Sequence, residues 1–171
     1  LSDTFWEIFR EIKLDYILKR TDTTGEAAIL RANSVYGGNI YLHKSLPEIN
    51  VNNVIDIWKL KGEPINTFKV YLHSFQFASY LNNGFEETND IRFLKKFEEV
   101  LNSWFNYEKN VKEHFVWYDF SVANRVIVLT HYLSLCNSCR YELSSNTREN
   151  LISSLVRSEE HTSELQSPLD I

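Results

Sequence analysis

The chain has 171 residues, 43% hydrophobic and 14% aromatic, which is enough to hide a sizeable core in one domain, since a chain of about 150 residues hides roughly 70% of its unfolded surface. Its formal net charge of -5, without a dense Lys/Arg stripe, excludes a nucleic-acid surface, which needs clustered cations to displace the counterions of phosphates. No apolar run approaches the ~20 residues that span a bilayer, so no membrane insertion is expected. Glycine (5) and proline (3) are scarce while Leu, Glu, Lys and Asn are plentiful, which favours long helices over a sheet with tight turns.

In chain order, Phe5, Phe9, Ile12 and Tyr16 keep helical spacing between Asp3 and Arg20, with Ser2 or Asp3 as cap. A second, short helix is predicted from Gly25 to Ser34, ended by the Gly37-Gly38 pair. Asn39 to Asn66 mixes Pro47, Pro64, Gly62 and several Asn with scattered apolar residues, and reads as irregular with at most one short strand. From Thr67 to Leu81 the residues Phe68, Tyr71, Leu72, Phe75, Phe77, Ala78 and Leu81 almost encircle a helix, which predicts one continuous buried helix. Asn89 or Asp90 caps the next, where Ile91, Leu94, Phe97, Val100, Leu101, Trp104 and Phe105 form a stripe. Lys95, Lys96, Glu98 and Glu99, together with Glu108 and Lys109, read as its solvated face. Ser121 is expected to cap a helix running from Val122 to Leu135, and Asn146 or Thr147 to open a last one through Val156. Short loops between successive helices imply antiparallel hairpins.

Cys136 and Cys139 form a lone C-x-x-C. A structural zinc site needs four ligands, and a redox pair belongs at a helix start after a strand. Both therefore read as incidental thiols, and neither a metal nor another cofactor is expected. The stretch Arg157 to Ser167, RSEEHTSELQS, resembles the translation of a sequencing-library adapter. It holds one cation and three carboxylates and lacks helical apolar spacing. Residues 157–171 are accordingly expected to be a non-native tail, disordered or a frayed helix, and residues 1–156 an incomplete helical domain of a longer protein.

Between Asp56 and Leu135 the chain presents Asp56-Ile57-Trp58, then Tyr71-Leu72-His73-Ser74-Phe75, then Trp104-Phe105, then Trp117-Tyr118-Asp119-Phe120-Ser121-Val122-Ala123-Asn124-Arg125. In order and spacing these resemble the N-terminal helical domain of heparinase II/III-like proteins. The resemblance implies an all-α fold, a partial α/α toroid of antiparallel helical hairpins, here without the family's C-terminal β-sandwich. It implies a groove for an acidic polysaccharide and a periplasmic or secreted setting. The implied reaction is β-elimination in a uronic-acid chain: one group neutralises the uronate carboxylate, a base removes the C5 proton and an acid protonates the leaving oxygen. The family's Asn-His motif, Tyr and second His have no counterpart among these residues, so no catalytic residue is assigned.

The substrate-binding candidates are His73, Gln76, Trp117, Tyr118, Asn124 and Arg125. Arg125, beside Asn124, offers a permanent cation with a bidentate fork suited to carboxylate or sulfate, or else is a surface or ion-paired arginine. His73 is either a hydrogen-bonded core histidine or a sugar contact, with Gln76 about one turn beyond it on much the same helix face. Trp117 and Tyr118 either staple helices or stack on a pyranose, while Trp58 and Trp104 read as core. A non-enzymatic helical scaffold and a toroid glycoside hydrolase with paired carboxylates are the competing readings; no repeated motif at fixed spacing supports the first.

Overall fold

The computed structural model describes Lys19, residues 23–111 and residues 114–165, with side chains described as far as Arg157. The helix expected between Asp3 and Arg20 lies, Lys19 apart, outside the described residues. The remainder is all-α apart from one minimal strand pair.

Helix α1, Gly25–Tyr36, buries Ala28, Ala32 and Val35 along one face. It ends as expected at the glycine pair, where the Gly37 N–H donates to Asn33 O. Gly38 has φ +96°, and a Cβ there would sit 2.2 Å from Val51 O. Only glycine lets the chain pass this close, and the passage brings β1 (Asn39–Ile40) antiparallel to β2 (Ile49–Asn50), with Asn39 opposite Asn50 and Ile40 opposite Ile49. The irregular segment thus holds two short strands where at most one was expected. A 3-10 helix, Val54–Lys59, follows, its start capped by Asn53 accepting from the Ile55 N–H. It sends Trp58 into the core, where the indole donates to Ser103 Oγ at 2.7 Å.

The single helix expected over Thr67 to Leu81 is two. Helix α2 covers Ile65–His73 and α3 covers Gln76–Thr88, broken at Ser74 and Phe75. Phe75 adopts φ 59°, ψ 21°, a left-handed conformation that costs a non-glycine residue about 1–3 kcal/mol. Its side chain is completely buried, 5.6 Å from Trp58 and 5.3 Å from Trp104 between ring centroids. Burying a Phe is worth about 1.5–3 kcal/mol before the aromatic contacts are added, so packing outweighs the strain. The apolar pattern concealed the break because apolar residues run on through it, although α2 buries only Phe68, Leu72 and His73 while α3 is buried from Phe77 to Phe85.

Helix α4, Ile91–Asn110, is capped by Asp90, whose carboxylate accepts from the Arg92 N–H at 3.1 Å. Its apolar stripe lies in the core from Leu94 to Phe105, while Ile91 at the helix start is 39% exposed, and its polar face is not all solvated. Glu98 accepts from Tyr141 Oη (2.7 Å), Thr147 Oγ1 (2.8 Å) and the Ser144 N–H (3.2 Å), and Glu108 is only 8% exposed. Both lie under the last helix, α6 (Ser145–Leu165), which packs on α4 and α5. Ser144 caps α6, its Oγ accepting from the Thr147 N–H.

Helix α5, Asp119–Cys139, starts before Ser121. That serine is therefore no cap; it is buried, and its Oγ donates to Val70 O of α2 at 3.1 Å. Helix α3 is the hub, packing on α1, α4 and α5. It meets α1 where a Cβ on Gly84 would fall 2.2 Å from the Ala32 Cβ, and it meets α5 where buried Asn82 donates to Val128 O. Among the described residues no helix is long and apolar enough to cross a membrane.

Candidate functional site

The candidate residues gather where α2 ends and α5 begins, in a buried layer and an exposed one. Arg125, on α5, anchors the buried layer with no exposed surface. Its Nη1 donates to His73 O and to Val116 O, both at 2.9 Å. His73 is the last residue of α2, where carbonyls lack helical partners and carry partial negative charge. The guanidinium lies 4.6 Å from the Trp104 ring centroid and 5.5 Å from that of Trp117. Burial pushes its pKa down to about 9, against the pull of Glu108 and with the repulsion of Arg157, so it remains cationic at neutral pH. Here the arginine ties α5 to the end of α2 and to the 3-10 turn His114–Val116.

His73 is equally buried, its ring near parallel to Trp58 (6.1 Å, 13°) and Tyr107 (5.8 Å, 19°). Gln76 is half-buried at the start of α3, so the chain break removes the helix face it was expected to share with His73. Asn124 turns back on its own helix, its Nδ2 donating to Phe120 O at 2.6 Å. Trp117 is half-buried and lies against two cations, with the Arg157 guanidinium 5.3 Å from its ring centroid. Arg157 also grips Glu108, pairing its Nη2 with Oε2 at 3.1 Å and its Nη1 with Oε1.

The exposed layer is aromatic. Tyr118 and Phe120, each 41% exposed, flank the first residue of α5. Tyr118 lies 5.9 Å from His114 and 6.5 Å from Phe115. Phe120 meets Tyr71 edge-on at 5.8 Å, and Tyr71 stacks on His43 at 4.5 Å and 17°. His43, Tyr71 and the stretch His114 to Phe120 come from three segments, so no spacing rule joins them. The one local signal was the aromatic density of His114-Phe115-Val116-Trp117-Tyr118-Asp119-Phe120. Trp117 and Tyr118 were read from it as binding candidates; His114, Phe115, Phe120, His43 and Tyr71 were missed.

Elsewhere the titratable groups are structural in character. Cys136 is buried and Cys139 exposed, both as free thiols at the end of α5. Burial pushes the Cys136 thiol up, away from reactive thiolate character. His131 is 2% exposed, with Nε2 3.3 Å from Glu86, which also pairs with Lys19. Among the described residues no group of three or more His, Cys, Asp or Glu is placed to hold a metal ion.

No family model, curated protein or solved structure matches the chain.

Proposed function

We propose that the chain is the helical part of a polysaccharide lyase and supplies one wall of a groove for an acidic polysaccharide. The observation that carries this reading is the aromatic rim of His43, Tyr71, Phe120, Tyr118 and His114 around the start of α5, with Tyr118 and Phe120 each 41% exposed. Aromatic faces stack on the apolar faces of pyranose rings at little conformational cost, and the imidazoles of His43 and His114 can donate hydrogen bonds to ring hydroxyls and carboxylates. The motif order from Asp56 to Arg125 supports the same reading, as does a scaffold of consecutive helices, which a partial α/α toroid requires.

In this reading the chain binds and orients polymer. The proton abstraction at C5 and the protonation of the leaving oxygen fall to groups outside the residues assigned here, and Arg125 acts beneath the rim by fixing the loop that carries Trp117 and Tyr118. Affinity electrophoresis through gels containing alginate, heparan sulfate or neutral dextran tests the proposal. Retardation by at least one acidic polymer but not by dextran is expected; unchanged mobility in every acidic gel overturns it.

A further inference from the structure

Of the two imidazoles on the rim, His43 is held in one tautomer by its neighbours. The turn from His43 to Leu46, closed by the Leu46 N–H donating to His43 O at 2.9 Å, brings Ser45 to the ring. The Ser45 N–H donates to His43 Nδ1 at 3.2 Å, and the Ser45 hydroxyl lies 2.7 Å from the same nitrogen. A backbone N–H can only donate, so Nδ1 carries the lone pair, the hydroxyl donates to it as well, and the proton of the neutral ring is on Nε2. Stacking on Tyr71, at 4.5 Å and 17°, fixes the plane in which that proton lies. The edge-on contact of Tyr71 with Phe120 joins the pair to the start of α5. Both Ser45 donors serve Nδ1, and among the described residues none serves Nε2. His114, by contrast, is exposed and has no orienting hydrogen bond among the described residues.

Taking the chain as the wall of a polysaccharide groove, we propose that His43 is the donor by which the rim tells an acidic sugar from a neutral one. Its Nε2–H takes a uronate carboxylate, while Ser45 and Tyr71 are positioning residues that hold the ring. Stacking alone does not make this distinction, since acidic and neutral pyranoses both offer apolar faces. A hydrogen bond to a carboxylate is about twice as strong as one between neutral groups. A donor already fixed in tautomer and plane also loses little freedom when the bond forms.

Two measurements test this. Imidazole nitrogen NMR spectra of the parent, taken at about pH 8 where a histidine is ordinarily neutral, are expected to show His43 as one unaveraged tautomer with its proton on Nε2. A proton on Nδ1, or an average of the two forms, overturns the proposal whatever the chain binds. Affinity electrophoresis in alginate and in heparan sulfate then compares the parent with His43→Asn and His43→Gln. Both variants lose the stacked ring. The Asn side chain can still accept from the Ser45 N–H two residues on but reaches no further, whereas the longer Gln offers an amide N–H near the place of Nε2. His43→Asn is expected to bind about tenfold more weakly than the parent, the loss of one hydrogen bond to a charged group, and His43→Gln to recover part of that loss. A His43→Asn chain retarded as strongly as the parent, or a His43→Gln chain as weak as His43→Asn, contradicts the donor role and leaves the polysaccharide reading intact. A parent retarded in neither gel removes that reading, and the role of His43 with it.

Discussion

At Arg125 a permanent cation is held out of water by two indoles, with two backbone carbonyls as hydrogen-bond acceptors. Its replacement by Leu strips His73 O and Val116 O of a donor and Glu108 of a nearby cation. The expected loss is about 3–5 kcal/mol, typical of breaking a buried charge constellation, read by chemical denaturation; a change under 1 kcal/mol contradicts the stapling role. His131 carries the pH dependence. Its pKa is lowered from 6.5, chiefly by burial and against the attraction of Glu86, so the unfolded chain takes up its proton first as pH falls. The stability it provides is complete above 6.5 and declines as pH drops towards the folded-state value. Unfolding at pH 7.5 and 5.5 should show a lower Tm at 5.5, with the difference reduced in His131→Gln; an equal difference in both chains contradicts this. Sequence spacing placed His131 on a helix but said nothing of its burial. Glu98 and Glu108 were misjudged for a related reason: the periodicity of one helix shows its apolar face, while a polar face covered by a distant helix leaves no local trace.

At the scale of elements, helices bounded by polar caps or glycine were legible and a break inside an apolar stretch was not. Asp90 and the Gly37-Gly38 pair act as their chemistry suggests. Phe75 breaks the helix through contacts with Trp58 and Trp104, which lie far from it in sequence. The α1–α3 crossing depends on a similar long-range contact. Alanine at an exposed helical glycine is worth up to about 1 kcal/mol, yet the Cβ of Gly84→Ala would fall 2.2 Å from that of Ala32. Overpacking of this kind costs about 1–3 kcal/mol, so Gly84→Ala is expected to destabilise the chain in denaturant titration. A gain in stability would mean that the two helices separate freely at this point.

For the whole molecule, composition alone pointed to an all-α chain, because scarce glycine and proline leave few positions for the turns of a large sheet. The candidate site was legible only where it is local. Trp117, Tyr118 and Phe120 lie in one aromatic stretch, whereas Tyr71 joins the rim through the packing of α5 on α2 and His43 through its stacking on Tyr71. Arg125 and His73 were singled out as binding candidates and lie in the buried layer, because a sequence shows which residues have binding chemistry and not which of them a fold encloses. The division of labour proposed here places polymer contact on the exposed rings and rigidity on the buried arginine. The measurement that tests it most directly compares the parent with the Tyr118→Ala/Phe120→Ala double variant by affinity electrophoresis in acidic polysaccharide, with dextran as control. Both side chains are 41% exposed, so the variant is expected to fold as the parent does and to lose most of the retardation. A folded variant retarded as strongly as the parent would contradict the account.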